Sequence, residues 1–316
     1  MNNNNLLSTQ IENYIAYKQS LGYLLTGDAF ILRSFGRYTC ECSYEGSLTL
    51  DIVLKWIDST GKKTEKSKGR KFLVIKPFSK FAVSIDPQAT LLPDNLFPNC
   101  HLRPAPYLYT CEDLKVLKQQ CDALYSPDGI RRETVKTLIG LLWATGMRPS
   151  EPFKLLVGDV DFESRTLFIR ETKFKKDRII PISSTTALAL LSYLQYIENK
   201  VGHRTTDDMF FYNTHGCPMK SRDLTYAFQV IRREMTKIDE KYSNIRLYDF
   251  RHTLASDTIR KWLDEDFDVN SRLYTLSVYL GHDHVEDTYW YLSSTPDLMR
   301  KASNNYEKYL EEDDYE

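Results

Sequence analysis

The sequence is short of the features that mark several protein classes. Its six cysteines (Cys40, Cys42, Cys100, Cys111, Cys121 and Cys217) include no C-x-x-C pair and no histidine at ligand spacing. Neither a disulfide framework nor a structural zinc site is indicated, and scattered thiols fit a reducing compartment. No apolar run approaches bilayer-spanning length, and the N-terminal Met-Asn-Asn-Asn-Asn has neither a basic nor an apolar region. The expectation is a cytoplasmic chain with no membrane partner. No internal repeat or low-complexity tract is visible. Charge of one sign is also lacking: 42 Lys and Arg face 43 Asp and Glu, for a net charge of -1. The overall basic charge common among polyanion binders is therefore absent.

What the chain does have is apolar mass. Hydrophobic residues make up 42%, with 21 Tyr and 15 Phe in 316 residues, enough for one large or two ordinary domains and too much for a disordered or fibrous chain. Charge is segregated along it. Residues 61–80 hold eight Lys or Arg against one acid, Glu65, while the last ten residues hold six acids against one Lys. Lys62, Lys63, Lys66, Lys68, Arg70 and Lys71, with Phe72, Leu73, Ile75, Phe78 and Phe81 beside them, predict a helix with one core face and one face for a phosphate backbone. A merely solvated face is the plainer alternative.

Apolar periodicity predicts four short helices in residues 1–85. The first is built on Ile11, Tyr14, Ile15, Tyr17 and Leu21, and the second on Phe30, Leu32, Phe35 and Tyr38. The third covers 52–57 and the fourth 72–83. Residues 86–105, Pro-rich and aperiodic, read as a linker. From 106 to 300 a larger domain is expected, with a capping-box start at Thr110 and Asp113 and an apolar helix over 133–144. A hairpin follows, with strands 160–170 and 178–182 turning at Lys173–Asp177. Helices are then expected over 185–199, 221–238, 249–262, 271–280, 284–292 and 297–310, with an acidic tail closing 301–316. The fold class is mainly α with a small antiparallel β-sheet.

Four segments of the second part carry candidate chemistry: ATGMRPSE (144–151), TKFKKDRIIP (172–181), LYDFRHTLAS (247–256) and YLGHDHVEDTYWYL (279–292). Singly, Arg148 reads as a helix-capping surface arginine, the hairpin cations as a charged turn, and Tyr289–Trp290–Tyr291 as core aromatics. In this order and spacing they resemble the catalytic signature of the tyrosine recombinase (phage integrase) family. The matching residues are Arg148, Lys173, Arg251, His282 and Tyr291, the last nine residues after His282. The departure is Tyr248, where the family pattern has the first His of H-x-x-R-H. A phenol still donates a hydrogen bond, but with a pKa of about 10 it is a poor base at neutral pH.

The resemblance spans residues ~106–300, and the basic front end is similar to the family's core-binding domain. It implies a site-specific recombinase that cuts and rejoins duplex DNA through a 3′-phosphotyrosine, acting as a homotetramer on paired sites. A segment after the nucleophile, here with Leu298, Ala302, Tyr306 and Tyr309 or Leu310 at helical spacing, would dock on the neighbouring protomer. Packing on its own domain is the alternative. DTYWYLSSTPDLM is similar to transposon-borne relatives, which implies transposition or another mobile element.

The chemistry explains the residue types. A phosphodiester under attack becomes a dianion, which forked guanidinium groups (Arg148 and Arg251) stabilise best. Lys173 can protonate the leaving 5′-oxygen, with Lys175, Lys176 and Arg178 beside it and able to contact DNA. His282 adds a hydrogen bond, and Tyr291 attacks. No metal or cofactor is expected, since Asp283, Glu286 and Asp287 fall on different helix faces. A topoisomerase-like or resolving enzyme on this fold, and a non-catalytic DNA-binding protein, stay open as alternatives.

Overall fold

The structure, a computed structural model, describes residues 5–59, 61, 64–97, 105–170, 177–214, 216–265, 267–293, 299, 300 and 303. The chain divides into two compact units, Met1–Pro104 and Ala105–Glu316.

In the first unit, helices α1 (Leu6–Ser20), α2 (Thr26–Glu41), α3 (Leu50–Ser59) and α4 (Glu65–Ile85) enclose one core. The buried set of α1, Leu7, Gln10, Ile11, Tyr14 and Ile15, follows the i, i+3, i+4, i+7 pattern of a helix stripe. Phe35 meets Trp56 at 5.2 Å between ring centres, and Phe72, Ile75 and Phe78 close the core from α4. Two expectations are corrected. Phe30 is 67% exposed rather than part of the core. Helix α4 begins at Glu65, seven residues before its apolar pattern, because Thr64 caps it by accepting from the Ser67 N–H at 3.2 Å. The Pro-rich stretch is not all linker either. Leu92 is buried, its N–H donates to Ser79 Oγ at 3.2 Å, and Phe97 packs on Phe72 at 5.4 Å.

The second unit opens with α5 (Cys111–Asp122), and the capping box is present: the Asp113 N–H donates to Thr110 Oγ1 and the Thr110 N–H to Asp113 Oδ2. Asp113 is buried and also accepts from Tyr107, Tyr242 and Lys241, at 3.0, 2.7 and 3.1 Å. Burial would raise its pKa, but these donors outweigh it and hold the carboxyl at about 2.

Helix α6 (Ile130–Thr145) leads to a three-stranded antiparallel sheet, β1 (Val160–Asp161), β2 (Thr166–Ile169) and β3 (Arg178–Pro181), in that order. The expected single strand over 160–170 is thus two. Asp161 Oδ1 accepts from the N–H groups of Glu163 and Ser164, and Arg165 takes φ +54°, which turns the chain. Helices α7 (Ser184–Val201), α8 (Ser221–Ile238), α9 (Asp249–Asp264), α10 (Val269–Leu280) and α11 (Glu286–Ser293) complete the unit. Ala255, Ile259, Leu273, Leu276, Leu280 and Tyr291 join α9, α10 and α11 in a satellite core. The stripe expected after residue 297, Leu298, Ala302, Tyr306 and Tyr309 or Leu310, lies outside the described residues.

Candidate active site

The site is organised by the end of one helix. Gly281 takes φ +68° just after α10, while the N–H groups of Gly281 and His282 return to the carbonyls of Val278 and Ser277. This termination ties off two carbonyls and leaves the next three to be satisfied from elsewhere. Three arginines from three separate segments do so. Arg178 Nε donates to the Tyr279 carbonyl at 3.2 Å, Arg251 Nη2 to Leu280 at 2.6 Å, and Arg148 Nη2 to Gly281. The partial negative charge of a helix C-terminus suits cations there.

Glu151 locks two of them. Its carboxylate accepts a two-pronged pair from Arg178 at 2.9 and 2.7 Å, then Arg148 Nη1 at 3.1 Å and the Arg148 N–H at 2.8 Å. Burial pushes its pKa up, but Arg178 and Arg148 together bring it below the ordinary value, so it stays ionised. Arg251, fully buried on α9, also donates to the carbonyl of Gly146, the left-handed residue that ends α6, at 3.1 Å. Its Nε is buried without a hydrogen-bond acceptor among the described residues.

Tyr291 on α11 is 2% exposed, whereas Tyr289 is 44% exposed. Burial raises the Tyr291 pKa, and the facing cations Arg251 and Arg148 pull against that rise. His282 stacks on the Tyr291 ring at 5.9 Å and 17°, and its Nδ1 lies 2.7 Å from Thr288 Oγ1. Burial, then Arg251 and Arg148, lower the His282 pKa to about 4, so the imidazole is neutral at pH 7. Tyr248 stands at the start of α9, 40% exposed, with its ring 5.1 Å from His252.

Of the expected catalytic residues, Arg148, Arg251, His282 and Tyr291 converge here, with Tyr248 at the edge. Lys173, Lys175 and Lys176 lie outside the described residues, as do Lys62 and Lys63. Arg178 is not an exposed hairpin cation. It begins β3, and its largely buried guanidinium pairs with Glu151 and the Tyr279 carbonyl. In the first unit, Lys68 pairs with Asp58 at 3.1 Å and Arg70 with Asp28 at 2.9 Å, while Lys71 lies over the Trp56 ring at 5.7 Å. Lys66 is exposed. Acids distant in sequence thus offset part of a charge that looks almost unopposed along the chain. Glu151, Thr288 and His252 were not singled out as site residues from the sequence. The available signals were an acid three residues after Arg148, Thr288 one turn before Tyr291, and His252 one turn after Tyr248.

A phenol among fixed guanidinium groups, a neutral imidazole and a helix end can support attack on a phosphodiester. Residues 110–297 match the Phage integrase family. The integrase/recombinase y4rE of Sinorhizobium fredii (strain NBRC 101917 / NGR234) is 30% identical over 297 residues, covering 94% of each chain. Tyrosine recombinase XerC of Oceanobacillus iheyensis is 28% identical over 248 residues, 76% of this chain and 73% of that one. Among solved structures, the Tn1549 transposon integrase in complex with transposon right end DNA aligns over 94% of this chain and 98% of that one, at 17% identity and a TM-score of 0.65. The chain belongs to the phage integrase family and is a tyrosine-type site-specific recombinase. No described helix is long and apolar enough to cross a membrane.

Proposed function

We propose that this protein cuts and rejoins duplex DNA at paired specific sites, with Tyr291 as the nucleophile. The observation that carries the reading is the trio of arginines fixed on the end of α10 beside the buried Tyr291. Arg251 spends two of its five N–H groups on carbonyls, which leaves Nε and others for Tyr291 and a phosphate oxygen. With Arg148 it cradles the non-bridging oxygens, and because both are already fixed, little reorganisation is needed as charge develops. If the Thr288 hydroxyl donates to His282 Nδ1, Nε2 carries the hydrogen and is the donor toward the phosphate. Tyr248 adds a phenolic donor. Lys173 protonates the leaving O5′, and the phosphotyrosine bond keeps the energy for religation, so no cofactor enters the scheme.

In this scheme the first unit holds DNA through the α4 cations, and four copies meet on two sites, as ordered exchange requires. The setting is the cytoplasm, and the moved DNA is a mobile element. A duplex nicked beside the cleavage site tests the chemistry, because the cut fragment diffuses away and traps the covalent complex. Tyr291→Phe binds this substrate normally and gives no adduct. An undiminished adduct would transfer the role to Tyr289 or end the mechanism.

A further inference from the structure

The family's first histidine is Tyr248 in this chain, which leaves open what takes the proton from the attacking phenol. Tyr248 caps the start of α9 and His252 follows one turn later, which brings the two rings together. The His252 ring is almost fully buried among three aromatics. It lies 5.1 Å from Tyr248, 4.8 Å from Trp290 and 5.4 Å, edge to face, from Tyr291.

The other described groups facing Tyr291 do not suit the task. Arg251 and Arg148 are permanent cations with no acceptor. His282 stacks on the phenol, and the same two arginines resist a further positive charge on it. Tyr248 is itself a phenol. Resting on the assignment of Tyr291 as nucleophile, we infer that His252 accepts the Tyr291 proton, replacing the missing histidine from one turn further along the helix.

The step balances. The Tyr291 Oη–H proton moves to an imidazole nitrogen of His252 as the Oη–P bond forms and the P–O5′ bond breaks. The departing O5′ takes its proton from a separate acid, Lys173 in the scheme above. On religation the 5′-hydroxyl attacks phosphorus, the Oη–P bond breaks, and the imidazolium returns its proton to the phenolate.

Single-turnover cleavage of the nicked duplex by the full chain tests the inference, with melting temperature and DNA affinity measured alongside. His252→Gln keeps the fold and the affinity but slows adduct formation about 100-fold or more, the usual weight of a general base. Adding Tyr248→His to that variant supplies an imidazole at the original position and restores most of the rate.

The inference fails if folded His252→Gln cleaves within about 3-fold of the unmodified protein. It fails equally if Tyr248→His restores nothing. Adduct formation by Tyr291→Phe would be a different failure, that of the nucleophile assignment.

Discussion

At Gly281 the backbone and a neighbouring side chain impose the same requirement by different routes. The residue sits at φ +68°, and a Cβ there would approach Arg178 Nη1 to 3.0 Å. Gly281→Ala therefore strains the turn and pushes the guanidinium off Glu151. The expected cost is about 1–3 kcal/mol of stability, read as a lowered melting temperature, with cleavage slowed more than DNA binding. The residues of the candidate site were largely legible in the sequence, because four motifs in fixed order select Arg148, Arg251, His282 and Tyr291, which the fold brings together. The Arg178–Glu151 pair was not. Its partners are 27 residues apart, and nothing along the chain separates an arginine that pairs inward from one that meets solvent.

Among the elements, the contrast between α4 and α9–α11 shows where periodicity informs and where it misleads. Helices with an apolar stripe over most of their length were found nearly whole. The start of α4 was missed because its first turns carry Lys and Arg, good helix formers with no hydrophobic signal. The same helix limits how charge should be counted. Lys68 and Arg70 already face Asp58 and Asp28, so they have less to offer a phosphate than Lys66. Replacing Lys62, Lys63 and Lys66 by Gln should weaken binding to all DNA sequences alike and reduce the salt slope of log K by about 2 to 3. Replacing Lys68 and Arg70 should change that slope less and cost some stability of the four-helix unit. Equal slopes for the two sets would show that the pairs open on DNA.

For the molecule as a whole, acid is expected to weaken the larger unit before it protonates most carboxylates. His282 has its folded pKa lowered to about 4, against about 6.5 for a free imidazole. Below pH ~6.5 the unfolded chain therefore takes up this proton first. Stability is full above that value, falls as pH drops toward 4, and levels off below it. Because the ring is partly exposed, the effect is about 1–2 kcal/mol. Urea melts from pH 7.5 to 4.5 should show it, and His282→Gln should flatten that part of the profile. A difference between the two proteins that grows above pH 7 would contradict the assignment.

The three carbonyls that receive the arginines also set when the site can exist. Their partners lie 101, 29 and 133 residues earlier in the chain. Such long loops close late in folding, after local helices have formed. During synthesis from the N-terminus, a nascent chain that has passed residue 251 but not reached 279 carries all three guanidinium groups and none of these acceptors. The basic helix of the first unit is complete far earlier, as is its folded core. A partly made or prematurely ended chain would thus fold its first unit without assembling the arginine cluster on the end of α10. Tying that cluster to the last helices makes the site one of the last parts of the fold that a growing chain can complete.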